Sequence, residues 1–387
     1  MTQPEQQLTA LVLGGGGARG AYQAGVIRGL ANILPDIEFP ILTGISSGAI
    51  NAAFLAGGGS SFNEAGRLLS HVWESVTPEK IYRVDASSLL KNVLRWGFRL
   101  VSGGADGRTK PLRGLMDTEP LTGFLERGLK TTKTRRIEGI EHAIASGRLH
   151  AVALSATSYS TGQSITWVEG DNIELWQRPQ RRSEVAQLTV DHVLASSALP
   201  LLFPAVQVGD EWFGDGGIRL TAPLSPALHL GAHKILTIST RYPRSAAEAG
   251  ESQIRSYPAP AQVAGVLYNA VFLDVLDQDI HRLQLVNKLL KSVPRDERQG
   301  MREVDILVLR PSRDLGILAR EYEPKLPTAL RFFTRGWGTR QSRSADTLSL
   351  IMFQPDYIRA LIELGERDVD AQRSRIEDFL SPAAVAD

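Results

Sequence analysis

Leu11-Val12-Leu13 is a short apolar run that passes straight into four glycines, Gly14 to Gly17, and from Ala21 to Leu34 apolar residues recur at helical spacing. A strand, a loop free of side chains and a helix in immediate succession form a βα unit, and the pattern recurs at once. Ile41-Leu42 reads as a second strand, Gly44 to Gly48 as a turn, and Ala49 to Leu55 as a short apolar helix. Further apolar segments, His150 to Ser155, Ser164 to Val168, Lys234 to Ser239 and Val304 to Leu309, alternate with helical stretches. Such alternation predicts a wound, mostly parallel sheet, so the class is α/β.

Composition narrows the chemistry. Among 387 residues, 43 Lys and Arg face 42 Asp and Glu, so no global field exists to hold nucleic acid. The absence of cysteine removes disulfide frameworks, thiolate-bound zinc, iron–sulfur clusters and thiol nucleophiles. No metal and no organic cofactor is expected. Met1 to Thr9 is polar without an apolar stretch behind a basic one, so the expected location is cytoplasmic. The uncharged run Phe39 to Asn63 has membrane-spanning length, but Thr43, Ser46, Ser47, Asn51, Ser60, Ser61 and several glycines make it a poor span. It reads as strand, turn, helix and loop.

Two segments break the rhythm. Thr240 to Gln262 is rich in Pro, Ala, Ser, Arg and Glu and reads as an exposed loop. Thr77 to Leu115 is basic, with eight Lys and Arg against Glu79, Asp85 and Asp106. Within it, a helix over Ser88 to Val101 would carry Leu90, Val93, Leu94, Phe98 and Val101 on one face and Lys91, Arg95 and Arg99 on the other. Two roles are open for it: packing on the core, or peripheral contact with a membrane surface or contact as a lid. The expected organisation is a catalytic core over 9–240 with an insertion at 77–115, a loop at 241–262, and a helical C-terminal region over 263–387.

Gly44-Ile45-Ser46-Ser47-Gly48 fits G-x-S-x-G, in which small flanking residues allow a sharp strand-to-helix turn that presents the middle serine, Ser46. The bland alternative is a close-packed βα turn. Gly15, Gly17 and Gly20 also satisfy the spacing of a dinucleotide loop, but the acid expected at the end of the second strand is missing. Asp36 and Glu38 precede that strand, and a serine elbow stands where the carboxylate should be. None of the seven histidines sits in an obvious catalytic setting. Asp215, among glycines in Phe213-Gly214-Asp215-Gly216-Gly217, is the better candidate base, with a tight Asp-Gly turn as its competing reading.

Together these segments resemble the patatin-like phospholipases. Gly15 to Gly20 is similar to that family's glycine-rich oxyanion motif, Gly44 to Gly48 to its nucleophile elbow, and Asp215-Gly216-Gly217 to its aspartate motif, in the family's order. Ala195-Ser196-Ser197-Ala198-Leu199-Pro200 with Phe203-Pro204 resembles the segment before that aspartate. Ile45 and Ser47 stand where members more often carry Thr and Ala. The resemblance implies a three-layer α/β/α fold with a helical C-terminal extension, and hydrolysis of lipid acyl esters of the phospholipase A or lysophospholipase type. It further implies a Ser46–Asp215 dyad and an oxyanion hole from Gly15, Gly16 and Gly17, supported by Arg19, Gly44, Gly48 and Gly216. The alternatives are a histidine-based α/β-hydrolase esterase and a nucleotide-phosphate-binding protein using the glycine loop.

Overall fold

The computed structural model describes residues 8–83, 114–250, 274–326 and 346–381, with isolated helical positions at 263, 266, 267 and 270. The helix expected over Ser88 to Val101 lies outside the described residues. Among the described residues ten strands form one sheet: β1 (Thr9–Leu13), β2 (Ile41–Ile45), β3 (Ala151–Ser158), β4 (Ser164–Gly170), β5 (Gln177–Arg178), β6 (Arg181–Val185), β7 (Val206–Val208), β8 (Glu211–Asp215), β9 (Lys234–Ile238) and β10 (Asp305–Leu309). Their order is β10-β9-β1-β2-β3-β4-β6-β5, and β8 also pairs with β3 while making a hairpin with β7. Neighbours from β10 to β3 are parallel; β4 and β8 meet β3 antiparallel.

Alternate residues of the central strands enter separate apolar clusters. Leu11 and Leu13 belong to one, Ala10 and Val12 to the other, so both faces of the sheet are covered, as a parallel sheet requires. Three helices, α1 (Gly20–Ile33), α2 (Ser47–Gly57) and α3 (Phe62–Glu74), lie on the first face with the long helix Pro355–Ala371. Leu224, Ala227 and Leu230, followed by Leu276, Ile280 and Leu283 of the helix Asp274–Leu290, cover the second. The molecule is α/β with three layers.

Contact between α1 and Pro355–Ala371 is unusually close. A Cβ on Gly25 would lie 2.1 Å from the carbonyl oxygen of Ile362, so only glycine permits this approach. The first βα unit is thereby tied to residues more than 300 positions later. Phe39 to Asn63 is strand, turn, helix and loop, and among the described residues no helix is long and apolar enough to cross a membrane. Of the stretch expected as a loop over 241–262, residues 241–250 are described, and they include a helical turn. Ala246–Gly250 forms a short exposed helix, entered through Ser245, whose backbone N–H and hydroxyl both donate to Glu248 at 2.7 and 2.8 Å. This local bond pattern gives the stretch a helical turn without apolar periodicity.

Candidate active site

Strand β2 ends at Ile45 and α2 begins at Ser47, so Ser46 alone makes the turn, with φ 57° and ψ −127°. That backbone is strained for a residue with a Cβ, by roughly 1–3 kcal/mol, and it persists because both neighbours are anchored. The Ser46 N–H donates to Ser196 Oγ at 3.0 Å, and its carbonyl accepts from Ala49 N–H at 2.9 Å. Gly44 and Gly48 sit against each other across the turn, and Gly48 abuts the Leu13 carbonyl of β1. Larger residues at either position would pry the elbow from the sheet.

The glycine loop lies beside it because β1 and β2 are parallel neighbours, Leu13 opposite Gly44. A Cβ on Gly15 would be 3.1 Å from Ser46 Cβ and 3.7 Å from Ser46 Oγ, so Gly15 is the loop residue that faces the serine directly. The carbonyls of Gly14, Gly15 and Gly16 are all engaged. Gln23 Nε2 donates to Gly14 O at 2.8 Å, Thr240 Oγ1 to Gly15 O at 2.8 Å, and Arg19 N–H to Gly16 O at 3.0 Å. Gln23 is joined to Asn51 at 2.9 Å, and Asn51 accepts from Trp73 Nε1 at 2.7 Å. This buried polar chain joins α1, α2 and α3 behind the loop; satisfied networks of this kind fix a single geometry. Sequence reading missed it, because Gln23, Asn51 and Trp73 look like ordinary helix residues.

Arg19 lines neither of the two clefts beside the serine. It is buried, with Nε donating to Ser349 Oγ and a terminal nitrogen to Asp346 Oδ1, both at 2.7 Å. It pins the loop's exit to the helix Asp346–Ile351, and Gly17, at φ 55°, sits against the carbonyl of Leu350 in the same helix.

Asp215 closes β8. Registers explain how it reaches Ser46: Ile45 pairs with Ser155 on one side of β3, and Ala156 pairs with Asp215 on the other. The two residues flank a single strand at one sheet edge. The hairpin between β7 and β8 turns at Gly209-Asp210, so Asp215-Gly216 is not its turn. Gly216 instead packs on the Ser155 carbonyl, and Gly217 N–H donates to Asp215 Oδ1 at 2.9 Å. Asp215 is fully buried, and burial pushes its pKa up to about 7, while hydrogen bonding to Ser46 and to the Gly217 N–H pulls the other way. Ser46 is thus in contact with the carboxyl, yet Asp215 Oδ2 lacks a partner in full hydrogen-bond geometry among the described residues.

Two clefts adjoin the elbow. One, about 530 Å³ including open solvent, is lined by Gly17, Ser46 and Ser47 together with Trp73, Phe124, Leu199, Phe203 and Phe353. The other, about 460 Å³, lies along Gly14, Gly15, Ile45, Gly217 and Thr240. Among the described residues no histidine lines either. His192 packs edge-on against Trp167, and burial pushes its pKa down to about 4.

Residues 11–228 match the profile of the patatin-like phospholipases, a span holding the glycine loop, the elbow and Asp215. The chain belongs to that family. Among solved structures, human GIVD cytosolic phospholipase A2 is 11% identical with a TM-score of 0.46, covering 97% of this chain and 60% of that one. VipD from Legionella pneumophila is 14% identical with a TM-score of 0.34, covering 89% of this chain and 67% of that one. The ExoU–SpcU complex of Pseudomonas aeruginosa gives 17%, 0.30, 96% and 76%. This patatin-like chain therefore spans about three fifths of the human phospholipase. No curated protein matches it significantly.

Proposed function

We propose that this patatin-like chain is a lipid acyl-ester hydrolase in which Ser46 is the nucleophile and Asp215 its base. The observation that carries the reading is one hydroxyl and one buried carboxyl in contact, with the hydroxyl lining an apolar cleft beside a side-chain-free loop. Ser46 Oγ attacks the ester carbonyl as its proton passes to Asp215, and amide N–H groups of Gly15, Gly16 and Gly17 hold the oxyanion. Asp215 then protonates the departing alcohol, leaving an acyl-serine. Water attacks that ester, gives its proton to Asp215, and the carboxylic acid leaves as Ser46 recovers its hydrogen.

The environment of Asp215 suits this role. An ordinary aspartate, with a pKa of 3.8, is a feeble base, whereas one titrating near neutrality matches the working pH of a general base. The aromatic and aliphatic walls beside Ser46 suit an acyl chain, which gains roughly 0.8 kcal/mol for each buried methylene. A histidine-based esterase is disfavoured because no imidazole lines either cleft among the described residues. A nucleotide-phosphate site is disfavoured because Arg19, the loop's one cation, is committed to Asp346.

An alkyl fluorophosphonate tests the reading. It is expected to block hydrolysis of a short-chain acyl ester with one phosphonate per chain, and peptide mass is expected to place the adduct on Ser46. An adduct on Ser47 or elsewhere, or undiminished hydrolysis by fully labelled protein, would contradict it.

A further inference from the structure

Resting on that reading, we infer that the segment Ser196–Ala198 is a clamp that sets the separation of Ser46 from Asp215, with Ser196 as its positioning residue. The segment holds both residues by their backbone amides. Ser46 N–H donates to Ser196 Oγ at 3.0 Å, and Asp215 N–H donates to the Ala198 carbonyl at 3.0 Å. The Ser196 hydroxyl donates its own proton to the Ser155 carbonyl at 2.6 Å. Ser155 stands opposite Ile45 on β3, one residue before the position opposite Asp215. One hydroxyl therefore ties the elbow to the strand that lies between nucleophile and base, and two residues on, the same segment takes hold of the base.

The segment is stiff enough for this task. Ser196 ends the helix Val190–Ser196, and the next amides fold back on that helix, Ser197 N–H to Val193 O at 3.1 Å and Ala198 N–H to Ala195 O at 3.4 Å. Ser196 is fully buried, so no solvent replaces its hydroxyl. Without it, the Ser46 amide and the Ser155 carbonyl each lose a partner at the one strained backbone position of the elbow. Relaxation there moves Ser46 relative to Asp215. Ser196 lines neither cleft, so what is lost is alignment and not binding.

The test uses the full chain and the rate of phosphonylation by an alkyl fluorophosphonate over a range of probe concentrations. Ser196→Ala is expected to lower the limiting rate roughly 10²-fold, the scale of a misplacement near 1 Å, with the half-saturating concentration kept within about twofold. Ser183→Ala supplies the control. Ser183 Oγ also accepts a backbone N–H, from Trp176 at 2.8 Å, and donates to a carbonyl, that of Trp176 at 3.2 Å, but on β6 away from both clefts. It is expected to label at the parental rate. Should Ser196→Ala not fold, Ser196→Cys, which keeps size and a weak donor and acceptor, is expected to show a smaller loss in the same direction.

A folded Ser196→Ala labelled at the parental limiting rate would overturn the clamp and leave Ser46 as nucleophile. So would a loss confined to half-saturation, or an equal loss in Ser183→Ala. A parent chain that takes no phosphonate on Ser46 would instead remove the hydrolase reading, and the clamp with it.

Discussion

Ser46→Ala is expected to lower kcat/KM for a short-chain acyl ester by on the order of 10⁴- to 10⁶-fold, the scale seen when a nucleophile is removed from a serine hydrolase. The fold should survive. The hydrogen bonds that hold the elbow, to Ser196 Oγ and from the Ala49 and Ile50 N–H groups, use the backbone of residue 46, and alanine keeps them all. Near-ultraviolet circular dichroism should match that of the parent. Ser47 is the informative neighbour. It starts α2, borders the same cleft, and its buried hydroxyl has no partner among the described residues. Activity that persisted in Ser46→Ala and vanished in Ser47→Ala would move the nucleophile by one position.

Asp215→Asn should separate activity from stability more sharply. Loss of the base is expected to cost on the order of 10³- to 10⁴-fold in kcat, while the folded chain becomes more stable above neutral pH. The sign follows from the direction in which burial moves the carboxyl. In the folded chain it titrates near 7, well above its ordinary value of 3.8, because burial disfavours the anion. Between those values the folded state binds more protons than the unfolded one, so stability falls as pH rises. The contribution of the neutral carboxyl is complete below about pH 4 and is lost as pH passes through about 7. Asparagine is neutral throughout and can still accept from Gly217 N–H. Chemical denaturation should show the variant ahead of the parent at pH 8 by a few kcal/mol, about 1.4 for each tenfold difference in proton affinity between the folded and unfolded chains, with the gap closing near pH 4. A variant less stable than the parent at pH 8 would mean that Asp215 supports the fold and is not strained by it.

What the sequence displays of this site is what is local. The glycine loop and the G-x-S-x-G elbow each lie within a few residues, and each is read from the backbone geometry its glycines allow. Asp215 was legible only through its glycine-rich surroundings and its resemblance to a family motif, because the Asp-Gly dipeptide alone reads as a turn. The true turn, Gly209-Asp210, lies a few residues earlier. The parallel half of the sheet was legible from alternating apolar runs, but the antiparallel placement of β8 on β3, which delivers Asp215 to Ser46, leaves no periodic trace.

Long-range contacts were opaque for the same reason. Arg19 reads as a residue that positions the glycine loop or meets a lipid phosphate, and nothing local names its partners, Asp346 and Ser349, more than 300 positions later. Ser196 differs in nothing from Ser197 as a sequence letter. Only the structure shows that the first bonds to Ser46 and Ser155, while the second returns to Val193 within its own helix. The apolar cleft is likewise a product of folding, with Trp73, Phe124, Phe203 and Phe353 contributed by four separate segments.

The pairing of Ser46 with Asp215 is tested most directly by following phosphonylation of Ser46 against pH in the parent and in Asp215→Asn. In the parent the rate should climb with pH and level off above a midpoint near 7, where the buried carboxyl ionises. The variant should label slowly and without that inflection. The same inflection in both proteins, or a parent rate that is flat from about pH 5 to 8, on either side of that midpoint, would show that another group activates the serine.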